Sequence, residues 1–192
     1  MGKAGKTGVT QNTPSKILFG AGTIHKGLKY ENGAWNFEES IVGATSGGST
    51  LSIVPEFVHI EADGALVKVK GLEVKTGENV KLDVNFLELT EEIIKAAVIG
   101  KAGASEDTNY SLIESKAAIE EGDYWENIAF VGKTLEGKNI IAIVDNALCT
   151  SGLEVGGENK KESVGKYTFE SHAEITSDLD TLPYHIYYPT AA

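Results

Sequence analysis

Four histidines, a lone cysteine and a glycine–lysine cluster are the residues whose chemistry would announce a catalytic or metal site. His25, His59, His172 and His185 are scattered, with no H-x-x-x-H pair and no cysteine partner. His59 shares a strand face with Glu61, and His172 with Glu170. Either pair has metal-ligand chemistry, but a solvated polar face or a surface ion pair accounts for both. Cys149 is the only cysteine, which excludes an intramolecular disulfide and a cysteine-based zinc site. Gly2-Lys3-Ala4-Gly5-Lys6-Thr7 mimics a phosphate loop, yet the glycine that the spacing G-x-x-x-x-G-K-[ST] requires before Gly5 is missing. Gly20-x-Gly22 has His25 where a dinucleotide loop needs its third glycine. The adjacent carboxylates Glu38/Glu39 and Glu120/Glu121 point to opposite faces of an extended chain, so neither pair flanks one scissile bond. Asp178 and Asp180 lack the rest of a calcium loop. No serine occupies a nucleophile elbow. The residues thus give no catalytic set, no metal set and no cofactor motif, and the expectation is a protein that is not an enzyme. Two aromatic groups, Tyr30/Trp35/Phe37 and Tyr124-Trp125, have the surface for stacking on sugar. Core or subunit-interface packing is the favoured use of both.

The elements that position these residues follow from composition. A chain of 192 residues is expected to form one domain. With 41% hydrophobic residues it can bury a core, and 22 glycines against 4 prolines suit tight turns between short strands. The net charge of −11 gives a surface that repels phosphate and anionic lipid, against nucleic-acid gripping and membrane-surface binding. The first 16 residues hold Lys3, Lys6 and Lys16 and no acid. A flexible basic arm, residues 1–16, is therefore expected before an acidic body, ordering only against a partner. No apolar run approaches the ~20 residues of a membrane span. The N-terminus has neither the apolar stretch of a secretion signal nor a myristoylation pattern.

Residues 17–192 read as a single β domain. Residues 17–24 alternate as a first strand, and 30–48 read as a long Gly-rich loop. Residues 51–60 form a strand whose Pro55 predicts an edge or bulge. Asp63-Gly64 predicts a hairpin turn into a strand over 66–75, with a bulge at Gly71 and the next turn at Thr76-Gly77. Over 79–87, Val80, Leu82, Val84 and Phe86 alternate with Lys81, Asp83 and Asn85, the pattern of a half-buried antiparallel strand. A helix is predicted at about 91–99, with Thr90 as N-cap, Glu91 and Glu92 at its positive end, and Gly100 ending it. Its stripe is Ile93, Ile94, Ala97 and Val98. Further strands are predicted over 109–115, 124–133, 139–145, 164–175 and 184–188, with Glu136-Gly137 a turn and 148–162 a polar loop. The sum is a mainly β chain, a β-sandwich or barrel with one flanking α-helix.

In order and spacing, several segments resemble the tail tube (major tail) proteins of long-tailed bacteriophages. They are Leu18-Phe19-Gly20-Ala21-Gly22-Thr23-Ile24, Val42-Gly43-Ala44-Thr45-Ser46-Gly47-Gly48, Ile60-Glu61-Ala62-Asp63-Gly64, Val69-Lys70-Gly71-Leu72 and Leu87-Glu88-Leu89-Thr90. Tyr124-Trp125-Glu126-Asn127-Ile128-Ala129-Phe130-Val131-Gly132 and Leu182-Pro183-Tyr184-His185-Ile186-Tyr187-Tyr188-Pro189 complete the series. The resemblance implies homo-hexameric rings joined through a continuous inner β-barrel and stacked into a tube that conducts DNA. It also implies other tail proteins as partners (tape measure, tail terminator, distal tail protein), no cofactor, no membrane, assembly in the host cytoplasm and a place in the virion tail. Candidate subunit and ring contacts are Tyr30, Trp35, Phe37, Gly43, Ala44, Thr45, Ser46, Gly47 and Gly48, with bulky substitution at Gly47 expected to block assembly of a folded monomer. The candidate lumen face is Lys81, Asp83, Asn85, Lys166, Glu170 and Glu174, and an acidic lining would let DNA slide without sticking. The inner tube of a contractile tail, a tailocin or a type VI secretion system is an alternative of the same physics. A carbohydrate-binding β-sandwich module is the alternative of a different class.

Overall fold

In the computed structural model, which describes residues 7–190, alternation and turn signals resolve into an antiparallel, mainly β architecture. The strands are β1 (Leu18–Lys26), β2 (Tyr30–Glu31), β3 (Ala34–Trp35), β4 (Thr45–His59), β5 (Glu73–Phe86), β6 (Gly100–Gly103), β7 (Leu112–Ser115), β8 (Trp125–Thr134), β9 (Asn139–Cys149), β10 (Gly165–Ser171) and β11 (Tyr184–Tyr187). The helices are the single turn α1 (Phe37–Ser40) and α2 (Glu91–Val98), with a 3₁₀ turn at Glu121–Asp123. The main sheet runs β1-β8-β9-β10-β5-β4, and β2-β3 and β6-β7 form separate ribbons. β11 also pairs with β9: it takes Ile141–Val144, and β10 takes Ala147–Cys149. Asn146, at φ 46°, lies between the two pairings.

The main sheet does not close on itself. The barrel alternative of the sequence reading is therefore not realised within one chain, while the mainly β class with a flanking helix is.

Both faces of the central strands are covered. On one face Leu82, Val84, Phe86, Trp125, Val144 and Phe169 pack with Ile93 and Ala97 of α2. On the other, Leu28, Ala129, Val131, Ile141 and Ile143 form a second cluster beneath Trp35 and Phe37. Thr90 caps α2 by accepting a hydrogen bond from the Ile93 amide at 3.3 Å. The stop differs from expectation: Ile99 takes the left-handed conformation at φ 49°, and Gly100 opens β6. Val98 is exposed rather than part of the buried stripe.

Three other segments depart from the sequence reading. Residues 30–48 are not one long loop. They hold the β2–β3 hairpin and α1, and Thr45–Gly48 already belong to β4. No strand forms over 66–72. A turn does form at Asp63-Gly64, closed by the Ala65 amide on the Ala62 carbonyl at 3.1 Å, and a second at Gly71, closed by Leu72 on Val69 at 3.1 Å. Thr76-Gly77 is no turn but a bulge in a continuous strand, since Glu56 faces Gly77 and Phe57 faces Lys75. Finally, β10 ends at Ser171, and Ile175 is almost fully exposed. Of the predicted basic arm, residues 1–6 lie outside the described residues. Residues 7–16 make turns closed by Thr13 on Thr10 and Lys16 on Thr13.

Candidate assembly surfaces

The β4–β5 hairpin is longer than the sheet that carries it. β10 pairs with β5 only from Lys81 to Phe86, whereas β4 follows β5 back to Glu73. The far half, residues 54–59 with 73–79, is thus a two-stranded arm without a third strand. Pro55 suits this place, because an edge strand tolerates a missing amide. Val54, Phe57, Val58 and Val74 are exposed on the arm, and Ile60, Leu66 and Val67 are exposed at its tip. Leu51 and Ile53, nearer the body, pack on the core instead. The exposed apolar side chains lie on both faces of the ribbon, which makes the arm a candidate interaction surface. The sequence reading missed it as an interface. The signal was present: residues 54–60 are apolar in both alternating phases, a pattern that one half-buried face does not explain.

A second surface lies at the other edge strand. Phe19, Gly22, Thr23 and His25 of β1, Val131 and Lys133 of β8, Asn139 of β9, and Phe37, Glu38 and Ile41 enclose an open groove of about 450 Å³. Phe19 is exposed there, and Asn139 Oδ1 is buried with no hydrogen-bond partner among the described residues. His25 contributes no free chemistry. Ser40 Oγ donates to the Asn36 carbonyl at 2.8 Å, so it accepts from His25 Nδ1 at 2.9 Å. Nε2 then accepts from the Thr23 hydroxyl at 2.8 Å. Burial pushes the His25 pKa down from its ordinary value, against a smaller opposing pull from the Phe37 carbonyl. Burial favours the neutral ring, and both its nitrogens are bonded within the chain's own packing.

The residues named for subunit contact divide. Tyr30 is exposed and meets Trp35 edge to face at 5.3 Å. Trp35 stacks on Phe37 at 6.3 Å and meets Tyr187 edge-on at 5.0 Å. Both Trp35 and Phe37 cover the chain's own second cluster. These rings do not form the flat exposed set that sugar stacking needs. Gly43 and Ala44 lead into β4, and the Glu88 carboxylate accepts the Ala44 amide at 3.0 Å. Ser46, Gly47 and Gly48 bulge opposite Asn85, whose side-chain amide donates to the Gly48 carbonyl at 3.1 Å. Gly47 sits at φ 80°, so any larger residue strains the backbone before it meets a neighbour. A Gly47 variant is therefore not the clean interface probe that the sequence suggested.

The named lumen residues do come together, except one. Lys81, Asp83 and Asn85 of β5 stand opposite Glu170, Thr168 and Lys166 of β10, so they share a sheet face. Thr50 and Ser52 of β4 extend it. Lys81 pairs with Glu170 at 2.8 Å, and its hydrogen bond is the main reason the Glu170 carboxyl lies below its ordinary pKa. Thr168 donates to Asp83 at 2.5 Å. Glu174 lies beyond β10. Two lysines thus face two acids on these strands, and the face is charge-balanced rather than acidic.

Neither histidine of the two histidine–acid pairs bonds to the carboxylate the sequence set beside it. His59 turns to Glu73 at 3.3 Å. His172 bonds through Nδ1 to the backbone carbonyl of Glu170 at 3.0 Å. Among the described residues no three His, Cys, Asp or Glu side chains are grouped to hold a metal ion. No helix there is long and apolar enough to cross a membrane. No protein-family model matches this chain, and no curated protein matches it.

Proposed function

We propose that this chain is a structural subunit that joins copies of itself into six-membered rings, stacked as the tail tube of a long-tailed bacteriophage. The observation that carries the reading is the β4–β5 arm, two strands running on past their third neighbour with apolar side chains exposed and not covered by any other described residue of the chain. Such surface is costly in water, and a second copy covers it at every interface of a closed or helical assembly. The unclosed sheet supports the same reading, because neighbour-to-neighbour pairing removes free edges that otherwise invite uncontrolled association. The polar, charge-balanced face supplies a wet lining past which DNA travels without being held. The tape measure, tail terminator and distal tail proteins are the expected partners, and no chemical step is assigned to any residue.

Negative-stain microscopy of concentrated purified protein, with sedimentation across a concentration series, tests the proposal. Rings and hollow filaments that grow with concentration are expected. A chain that stays monomeric at every concentration, and that no virion contains, overturns it.

A further inference from the structure

We infer that the β4–β5 arm of one copy seats in the groove at the β1 edge of a second copy. The inference rests on the self-assembly reading and specifies which two surfaces of the chain meet.

The two surfaces are complementary in shape. The arm projects and exposes Phe57 and Val58, while the groove is concave and lined by Phe19, Ile41 and Val131. They belong to the two different edge strands, so the contact is head-to-tail and propagates.

The charges match as well. Phe19 faces Lys133 in register, and Lys16 lies two residues before β1. Among the described residues neither lysine is in an ion pair, and Glu38 is the one acid on the groove wall. On the arm and its tip, Lys68 and Lys75 are bound to Glu73 and Glu78. That leaves Glu56, Glu61 and Asp63 against Lys70 outside any ion pair among the described residues, an acidic surplus. The groove wall thus carries Lys133 against Glu38, with Lys16 shortly before the strand; in a chain of net charge −11 it is a surface without an acidic surplus, and its position fits an acidic apolar arm.

A charge-reversal pair tests the contact. Lys16→Glu with Lys133→Glu makes arm and groove both acidic, and Glu56→Lys with Glu61→Lys makes the arm basic against the unchanged groove lysines. Each double variant is expected to remain a folded monomer by circular dichroism and sedimentation where the wild type assembles. An equimolar mixture is expected to assemble again, because each arm then meets an oppositely charged groove. The milder Lys133→Gln and Glu56→Gln variants are expected to weaken association at least tenfold each. If the wild type assembles and the reversed variants do so unaided, or the mixture stays monomeric, the arm–groove contact is overturned and self-assembly stands. If the wild type never associates, both fall.

Discussion

His25 is a residue at which the chain's stability is tied to pH. Its ring is almost fully buried, and both nitrogens are committed in the neutral form. Burial holds its folded pKa below the ordinary value of 6.5, so below that pH the unfolded chain binds more protons than the folded one. Stability is therefore complete above about pH 6.5 and falls as the pH drops through it, until the folded ring itself protonates. The urea midpoint is expected to fall between pH 7.5 and pH 5.5 in the wild type, and less in His25→Gln. The charged groups around the ring are Glu38 and Lys133 of the groove wall. Equal losses in wild type and variant would place the titration elsewhere. Nothing in the sequence marked His25 as buried, because its partner Ser40 reaches it only through the turn of α1.

At the scale of elements, core and arm should respond oppositely to substitution. Leu82→Ala removes a fully buried side chain and is expected to cost about 2–5 kcal/mol in chemical unfolding. Phe57→Ser with Val58→Ser alters exposed side chains and is expected to cost about 0.5 kcal/mol per site or less, while abolishing association by sedimentation. Equal stability losses would mean that the arm folds back on the body. The same contrast explains what was legible. Residues 79–86 were read correctly because one face is buried and one is wet, which imposes strict alternation. The start of α2 was legible because Thr90 and the two glutamates satisfy a local requirement at the helix end. The 51–75 region misled because glycine signals state only that the chain can deviate, not how. Gly71 holds a turn at φ 95°, whereas Gly77 lacks positive φ and sits within a bulged strand. The interface residues were least legible: whether Trp35 and Phe37 face a neighbour or their own sheet depends on β8 and β9, far away in sequence.

For the whole molecule, the distribution of charge matters more than its sum. If the β4-β5-β10 face lines a channel, low friction comes from equal numbers of lysines and acids, with Lys81 bound to Glu170, rather than from repulsion. Duplex DNA is expected not to co-sediment with wild-type assemblies. Asp83→Asn with Glu170→Gln frees Lys81 and leaves no acid beside Lys81 and Lys166 on these strands, and is expected to retain DNA at low salt and release it at high salt. Retention identical to wild type would place the channel on another face. The pairing of β1 with β8 has a consequence in time. Ile24 meets Phe130, and no nearer strand substitutes for that partner. During synthesis the first strand must wait while most of the chain leaves the ribosome, and closing so large a loop makes its docking a late step. The groove edge is therefore absent from every nascent chain in which β8 and β9 have not emerged, and a polymer that grows through it draws on protein whose synthesis is largely complete.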